Sequence, residues 1–135
     1  MKAPGRIFLL VTGIIYIVAG VSGIISGLFL EILSQTVDGV GDMVGVQGAG
    51  SGFGLLAFFS LAAGIFSLIM GIMGIVHRNT LEKASMLIAF GVIDMIIDVI
   101  SMIATGTFSI AMILLFALPI CYIVGAYKNK NAQAV

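Results

Sequence analysis

Four apolar runs dominate the chain: Ile7 to Leu30, Phe53 to Val76, Ala84 to Ala104 and Phe108 to Tyr127. Each meets the roughly 20 residues that an α-helix needs to cross about 30 Å of hydrocarbon. The pattern predicts an all-α fold, a four-helix transmembrane bundle forming one integral membrane domain over residues 1–135. A glycine-rich segment from Glu31 to Gly52 is expected as an outer loop between helices 1 and 2. The link from His77 to Lys83 and the turn Thr105-Gly106-Thr107 are so short that helices 2, 3 and 4 must be antiparallel neighbours. Asn79, with Glu82 three residues on, reads as the cap of helix 3. Pro119 lacks an amide donor and predicts a kink in helix 4.

Charge placement then orients the bundle. Threaded alternately, the four helices put Lys2, Arg6, Arg78, Lys83, Lys128 and Lys130 on one side, and Glu31, Asp38 and Asp42 on the other. Translocating Lys or Arg is penalised, so the N and C termini are expected to be cytoplasmic. Phe8, Tyr122 and Tyr127 fall at the inner interface, and Phe29, Phe53 and Phe108 at the outer. The basic start followed by an apolar run imitates a signal peptide. The run, however, exceeds the ~7–15 residues of a secretory core and no A-x-A site follows, so an uncleaved helix is expected. Composition excludes the alternative of a water-soluble domain: 61% of residues are apolar and 9% charged, where covering a soluble globule takes about a quarter charged.

In lipid, helices associate through close backbone approach at small residues rather than through burial of apolar surface. Gly13, Gly20, Gly23 and Gly27 in helix 1, and Ser60, Gly64, Ser67, Gly71 and Gly74 in helix 2, form heptad-like stripes. Ala19, Gly23 and Gly27 also make a glycine zipper, and Ala117, Cys121 and Gly125 repeat its four-residue step in helix 4. The segments starting at Gly13 and at Gly64 align without gaps through three glycines each, an arrangement that shared packing demands produce as readily as duplication does. Helix 3 continues the frame with Gly91, so Gly13, Gly20, Gly23, Gly27, Gly64, Gly71, Gly74 and Gly91 are the expected packing positions.

Asp94 and Asp98 are the chemical anomaly. With Gly91, Ser101 and Thr105 they step by three and four residues, so both carboxyls lie on the small and polar face of helix 3. Counting from Ala84, Asp94 lies about 15 Å deep and Asp98 about 21 Å, where an ionised carboxylate costs roughly 2.5–3.5 kcal/mol on insertion scales. No Lys, Arg or His occurs inside a span, so at least one proton on the pair and hydrogen bonds from hydroxyls are expected. Tyr16 lies near the depth of Asp94, and Ser22 and Ser60 near that of Asp98. Asp94, Asp98, Tyr16, Ser60 and Ser101 are accordingly the candidates for ion binding or a proton relay, with an interhelical clamp as the structural alternative.

Nothing else concentrates chemistry. Cys121 sits alone in an apolar run and His77 alone at the inner interface. The methionines are scattered like core filler, and no metal or other cofactor is implied. Thr36 to Asp42 has a filter-like look without the preceding pore helix that a filter needs. Gly48 to Gly52 reads as a flexible loop rather than a phosphate cradle. No basic patch supports nucleic-acid binding. No nucleophile, base and oxyanion set stands together outside the spans, which argues against an enzyme. The basic start, the G-I-I-Y-I-x-x-G first helix and the H-R-N inner link resemble those of uncharacterised four-helix membrane proteins of Gram-positive bacteria, a resemblance that implies four spans and no known reaction. The expected function is therefore non-enzymatic: helix–helix association in the bacterial cytoplasmic membrane, in a homo-oligomer or with a membrane-protein partner, as an accessory or immunity-type subunit. The alternative is a small proton or cation channel or transporter protomer using the aspartates.

Overall fold

The computed structural model describes residues 3–105 and 110–133. In order they form α1 (Arg6–Val44), α2 (Ser51–Val76), a 3-10 turn (Leu81–Lys83), α3 (Ala84–Thr105) and α4 (Ile110–Gln133), and no strand occurs among them. Two of the helices, α1 and α2, are long and apolar enough to cross a membrane. The turn expected at Thr105-Gly106-Thr107, and the start of helix 4 at Phe108, lie partly outside the described residues.

The outer loop is the largest correction. Residues 31–44 of the expected loop are helical, because the polar residues after Leu30 keep helical spacing. Gln35 donates to Glu31 (3.2 Å), and the Thr36 hydroxyl donates to the Ile32 carbonyl (2.8 Å). At about 1.5 Å per residue, a 39-residue α1 rises about 58 Å, well beyond the hydrocarbon thickness. The helix stops at Gly45, whose φ of +79° is left-handed. There the Val46 amide donates to the Gly41 carbonyl and the Gly45 amide to that of Asp42, the paired bonds of a Schellman cap. Only Gly45 to Gly50 remain as a connection. At the opposite end of α2, the 3-10 turn is entered through Thr80, not Asn79, and the Thr80 side chain makes no capping bond. Pro119 lies buried inside α4, which runs on to Gln133 instead of ending at Tyr127.

The chain divides into two compact units. One comprises Ile17–Ile69; the other holds the chain up to Tyr16 and from Met70 onward. In the first, glycines bring α1 and α2 into backbone contact. A methyl group at Gly20 would sit 2.7 Å from the Gly64 carbonyl oxygen, one at Gly64 2.7 Å from the Ile24 amide nitrogen, and one at Gly27 2.6 Å from the Leu61 side chain. Beyond this seam, Ser34 and Asp38, one turn apart on α1, hold the peptide that starts α2. The Ser34 hydroxyl donates to the Gly50 carbonyl and the Gly50 amide donates to the Asp38 carboxylate, both at 2.8 Å. Large apolar side chains cover the outside of this unit, with Val18, Phe29 and Phe58 each about two-thirds exposed.

In the second unit α3 and α4 pack along each other, and Leu9, Met70, Leu87 and Tyr122 are fully buried. Small residues again set the contacts. Gly13 faces Ile75 and the Gly71 carbonyl, Gly91 faces Ile123, and Gly125 faces Phe8. In the α1–α2 contacts Gly13 thus meets Gly71, and Gly20 meets Gly64. Positions that are equivalent in the gapless alignment of the two helices therefore contact crosswise, as antiparallel packing requires of two similar faces. At the end of this unit Asn129, fully buried, accepts a hydrogen bond from the Gly5 amide (2.8 Å) and donates to the Arg78 carbonyl (2.9 Å). One side chain of α4 thereby holds the entry of α1 and the exit of α2.

Candidate functional site: a carboxyl pair on the third helix

The second unit holds a polar cluster to which all four helices contribute. Tyr16 of α1 is buried, and its hydroxyl donates to Asp94 Oδ2 of α3 at 2.5 Å. The Tyr16 ring meets that of Tyr122 edge to face, with centroids 5.7 Å apart and planes at 86°, a geometry in which ring edge meets ring face. The Tyr122 hydroxyl donates to the Met70 carbonyl of α2 (3.1 Å).

Glycines make room for this arrangement. A methyl group at Gly74 would come 2.7 Å from Tyr122 Cε2, and one at Gly91 would come 3.3 Å from Cδ1. Tyr122 therefore lies in a notch between α2 and α3 that exists only because both positions lack a side chain. It stands against Tyr16, which in turn reaches Asp94.

The expected site residues separate into three groups. Tyr16 and Asp94 meet. Asp98, one turn further along α3, is half-buried and makes no hydrogen bond among the described residues. Ser60 is spent elsewhere, its hydroxyl donating to the Gly23 carbonyl at 3.0 Å in the other unit. The Ser101 side chain lies outside the described residues.

Tyr122 is the residue that sequence reasoning misplaced. It was expected at the inner interface, yet it is fully buried, because α4 continues past Tyr127 and puts Tyr122 near its middle. The available signal was its spacing from Gly125 and Ala126, both buried on the same side of the helix. Asn129 was missed entirely, since a polar residue just past an apolar run looks like a solvated tail.

Chemically, a carboxyl fixed by a phenol can hold or accept a proton, and a second carboxyl one turn away can accept a donor or a cation. Among the described residues no three His, Cys, Asp or Glu side chains group as metal ligands. Comparison of the chain with protein-family models, with curated proteins and with solved structures finds no match.

Proposed function

We propose that the chain is a multi-pass protein of a bacterial cytoplasmic membrane that acts by binding, as an accessory or immunity-type subunit, with Asp98 as the docking point for a donor on a partner's membrane helix. The apolar exterior of α1 and α2 supports the membrane assignment, since soluble monomers rarely expose contiguous apolar patches beyond a few hundred Å². The gathering of Arg6, Arg78 and the Lys128 to Lys130 segment around Asn129 supports a cytoplasmic location for that end. The N and C termini then share the cytoplasmic face and all four helices cross.

The observation that carries the binding role is the inequality of the two carboxyls. Asp94 is taken by Tyr16, whereas Asp98 has no partner among the described residues and is half-buried, hence reachable from outside the chain. A carboxyl in a membrane helix calls for a partner, and Lys, Arg or a hydroxyl on an incoming helix would supply one. The partner is a membrane protein or a second copy. A second copy would have to use other faces than the glycine stripes, because Gly13, Gly20, Gly23, Gly27 and Gly64 already face neighbours within the chain.

A Leu/Ala transmembrane peptide with one central Lys tests the reading against its Gln counterpart, with association read by energy transfer in nanodiscs. The Lys peptide should associate more tightly with the native chain and with Asp94→Asn, and the preference should vanish in Asp98→Asn. Equal association of both peptides with the native chain refutes it. The second reading, a proton or cation conductor, is favoured by the one-turn spacing of the two carboxyls. It predicts proton or cation flux in proteoliposomes that Asp94→Asn or Asp98→Asn abolishes, while the binding role predicts flux no greater than in empty vesicles for all three.

A further inference from the structure

Arg6 and Arg78 stand together at the end of the second unit. They line a cavity of about 130 Å³ whose other walls are Ile7 and Leu10, with no carboxylate in the lining. Both arginines are half-buried. The cavity exceeds by several-fold the roughly 10–15 Å³ on the same measure that one water needs, so a phosphate group has room.

The backbone around the cavity is fixed in advance. Gly5, next to Arg6, and the Arg78 carbonyl are both bonded to the buried Asn129 side chain. Gly5 also packs so closely on the Gly125 carbonyl that a methyl group there would overlap it. Anchoring the backbone that carries both arginines removes part of the ordering cost of binding, and the planar fork of Arg suits phosphate oxygens bidentately.

Beside the cavity runs an apolar groove of about 360 Å³ between α1 and α4, lined among others by Ile7, Val11, Ile15, Leu118 and Cys121. Ile7 is a wall of both spaces, with the polar cavity to one side of its side chain and the groove to the other. Lys128 adds positive charge at the same end, its ammonium 4.7 Å from the centre of the Phe8 ring, and Phe8 is another wall of the groove.

We propose that Arg6 and Arg78 clasp the phosphate of one anionic phospholipid of the inner leaflet, with an acyl chain of that lipid in the adjoining groove between α1 and α4. The ligand must be anionic at the arginines and apolar along the groove, and a phospholipid in a membrane is both. The inference rests on the membrane orientation proposed above.

The test uses the full chain in nanodiscs and in mild detergent, with lipid counted by native mass spectrometry. From an equimolar mixture of phosphatidylglycerol and phosphatidylcholine, the native chain should retain one phosphatidylglycerol. The Arg6→Gln/Arg78→Gln double variant should retain it about thirtyfold less, taking each surface cation to contribute as basic residues do at anionic membranes. Lys83→Gln, a basic residue outside the cavity lining, should bind as the native chain does, and circular dichroism checks that each variant folds. Retention by the double variant, or an equal loss in Lys83→Gln, overturns the clasp. Inorganic phosphate or glycerol phosphate displacing the lipid at equal concentration overturns the assignment of the groove to its acyl chain. A chain that does not enter nanodiscs overturns the membrane reading and the clasp with it, whereas a chain that enters them without lipid preference overturns the clasp alone.

Discussion

Three glycine-to-alanine substitutions isolate what each glycine does, because one added methyl group meets three different surroundings. At Gly39, inside α1 and past the apolar run, the methyl meets nothing within 4 Å and the backbone is helical. Alanine exceeds glycine in helix propensity by about 0.8–1.0 kcal/mol, so Gly39→Ala should stabilise by about that amount. At Gly45 the space is equally open, but φ is +79°. A left-handed backbone costs a side-chain-bearing residue roughly 1–2 kcal/mol, so Gly45→Ala should destabilise by that much through the cap alone. At Gly64 the methyl would stand 2.7 Å from the Ile24 amide nitrogen and 2.9 Å from the Gly20 carbonyl oxygen. Both are backbone atoms of α1, and neither can rotate away.

To reach 3.4 Å, an ordinary contact, the seam at Gly64 must open by about 0.7 Å, a gap that forfeits a quarter to a half of the dispersion at each contact it separates. Overpacking of this kind costs about 1–3 kcal/mol, more than the propensity gain, so Gly64→Ala should destabilise. Unfolding in mixed micelles with increasing sodium dodecyl sulfate, followed by circular dichroism, gives the three values on one scale. The expected order of stability is Gly39→Ala above the native chain, with Gly45→Ala and Gly64→Ala both below it. Gly64→Ala at or above the native chain would refute the close α1–α2 approach at that level.

Three buried polar side chains make further predictions. Tyr16→Phe removes the only hydrogen-bond donor that Asp94 has among the described residues and should destabilise by about 1.5–3 kcal/mol in the same assay, with much of that recovered by adding Asp94→Leu, since replacing both partners leaves neither of them unpaired. Asn129→Leu strands the Gly5 amide and deprives the Arg78 carbonyl of a donor, at about 1–3 kcal/mol for each group that stays dry; exchange of the Gly5 amide with deuterium should quicken, and unchanged exchange contradicts the assignment. Tyr122→Phe keeps the ring in its notch and loses one bond to a carbonyl, about 0.5–1.5 kcal/mol, whereas Tyr122→Ala empties the notch and should cost about 3–5 kcal/mol. Similar losses for the two would show that the notch between Gly74 and Gly91 does not hold the ring.

The hydrophobic pattern makes the helices legible and leaves their ends obscure. An apolar run stops at Glu31, but a helix stops where its hydrogen bonds can be closed, here at the left-handed Gly45. Ser34 and Asp38 carry the sign of the continuing helix, one turn apart and facing the residue that starts α2, yet their partner Gly50 is visible only once the chain has folded back. The meeting of Tyr16 with Asp94 could be read from depth along the helices, because two antiparallel or parallel rods share one vertical scale. Lateral position has no such scale, which is why depth alone points Ser60 at the aspartates whereas its hydroxyl is found on Gly23. The roles of Tyr122 and Asn129 depend on notches and backbone groups supplied by distant segments: Asn129 bonds to residues 124 and 51 positions away. No local pattern encodes such partners.

The proposed topology, four crossings with the basic ends inside, is open to direct labelling. In a background with Cys121→Ala, single cysteines at Gln47 and at Asn131, each on intact cells, are exposed to a membrane-impermeant maleimide before and after permeabilisation. With this topology Gln47→Cys should react in intact cells, while Asn131→Cys should react only once the membrane is opened. Labelling of Asn131→Cys in intact cells, or protection of Gln47→Cys there, would contradict it.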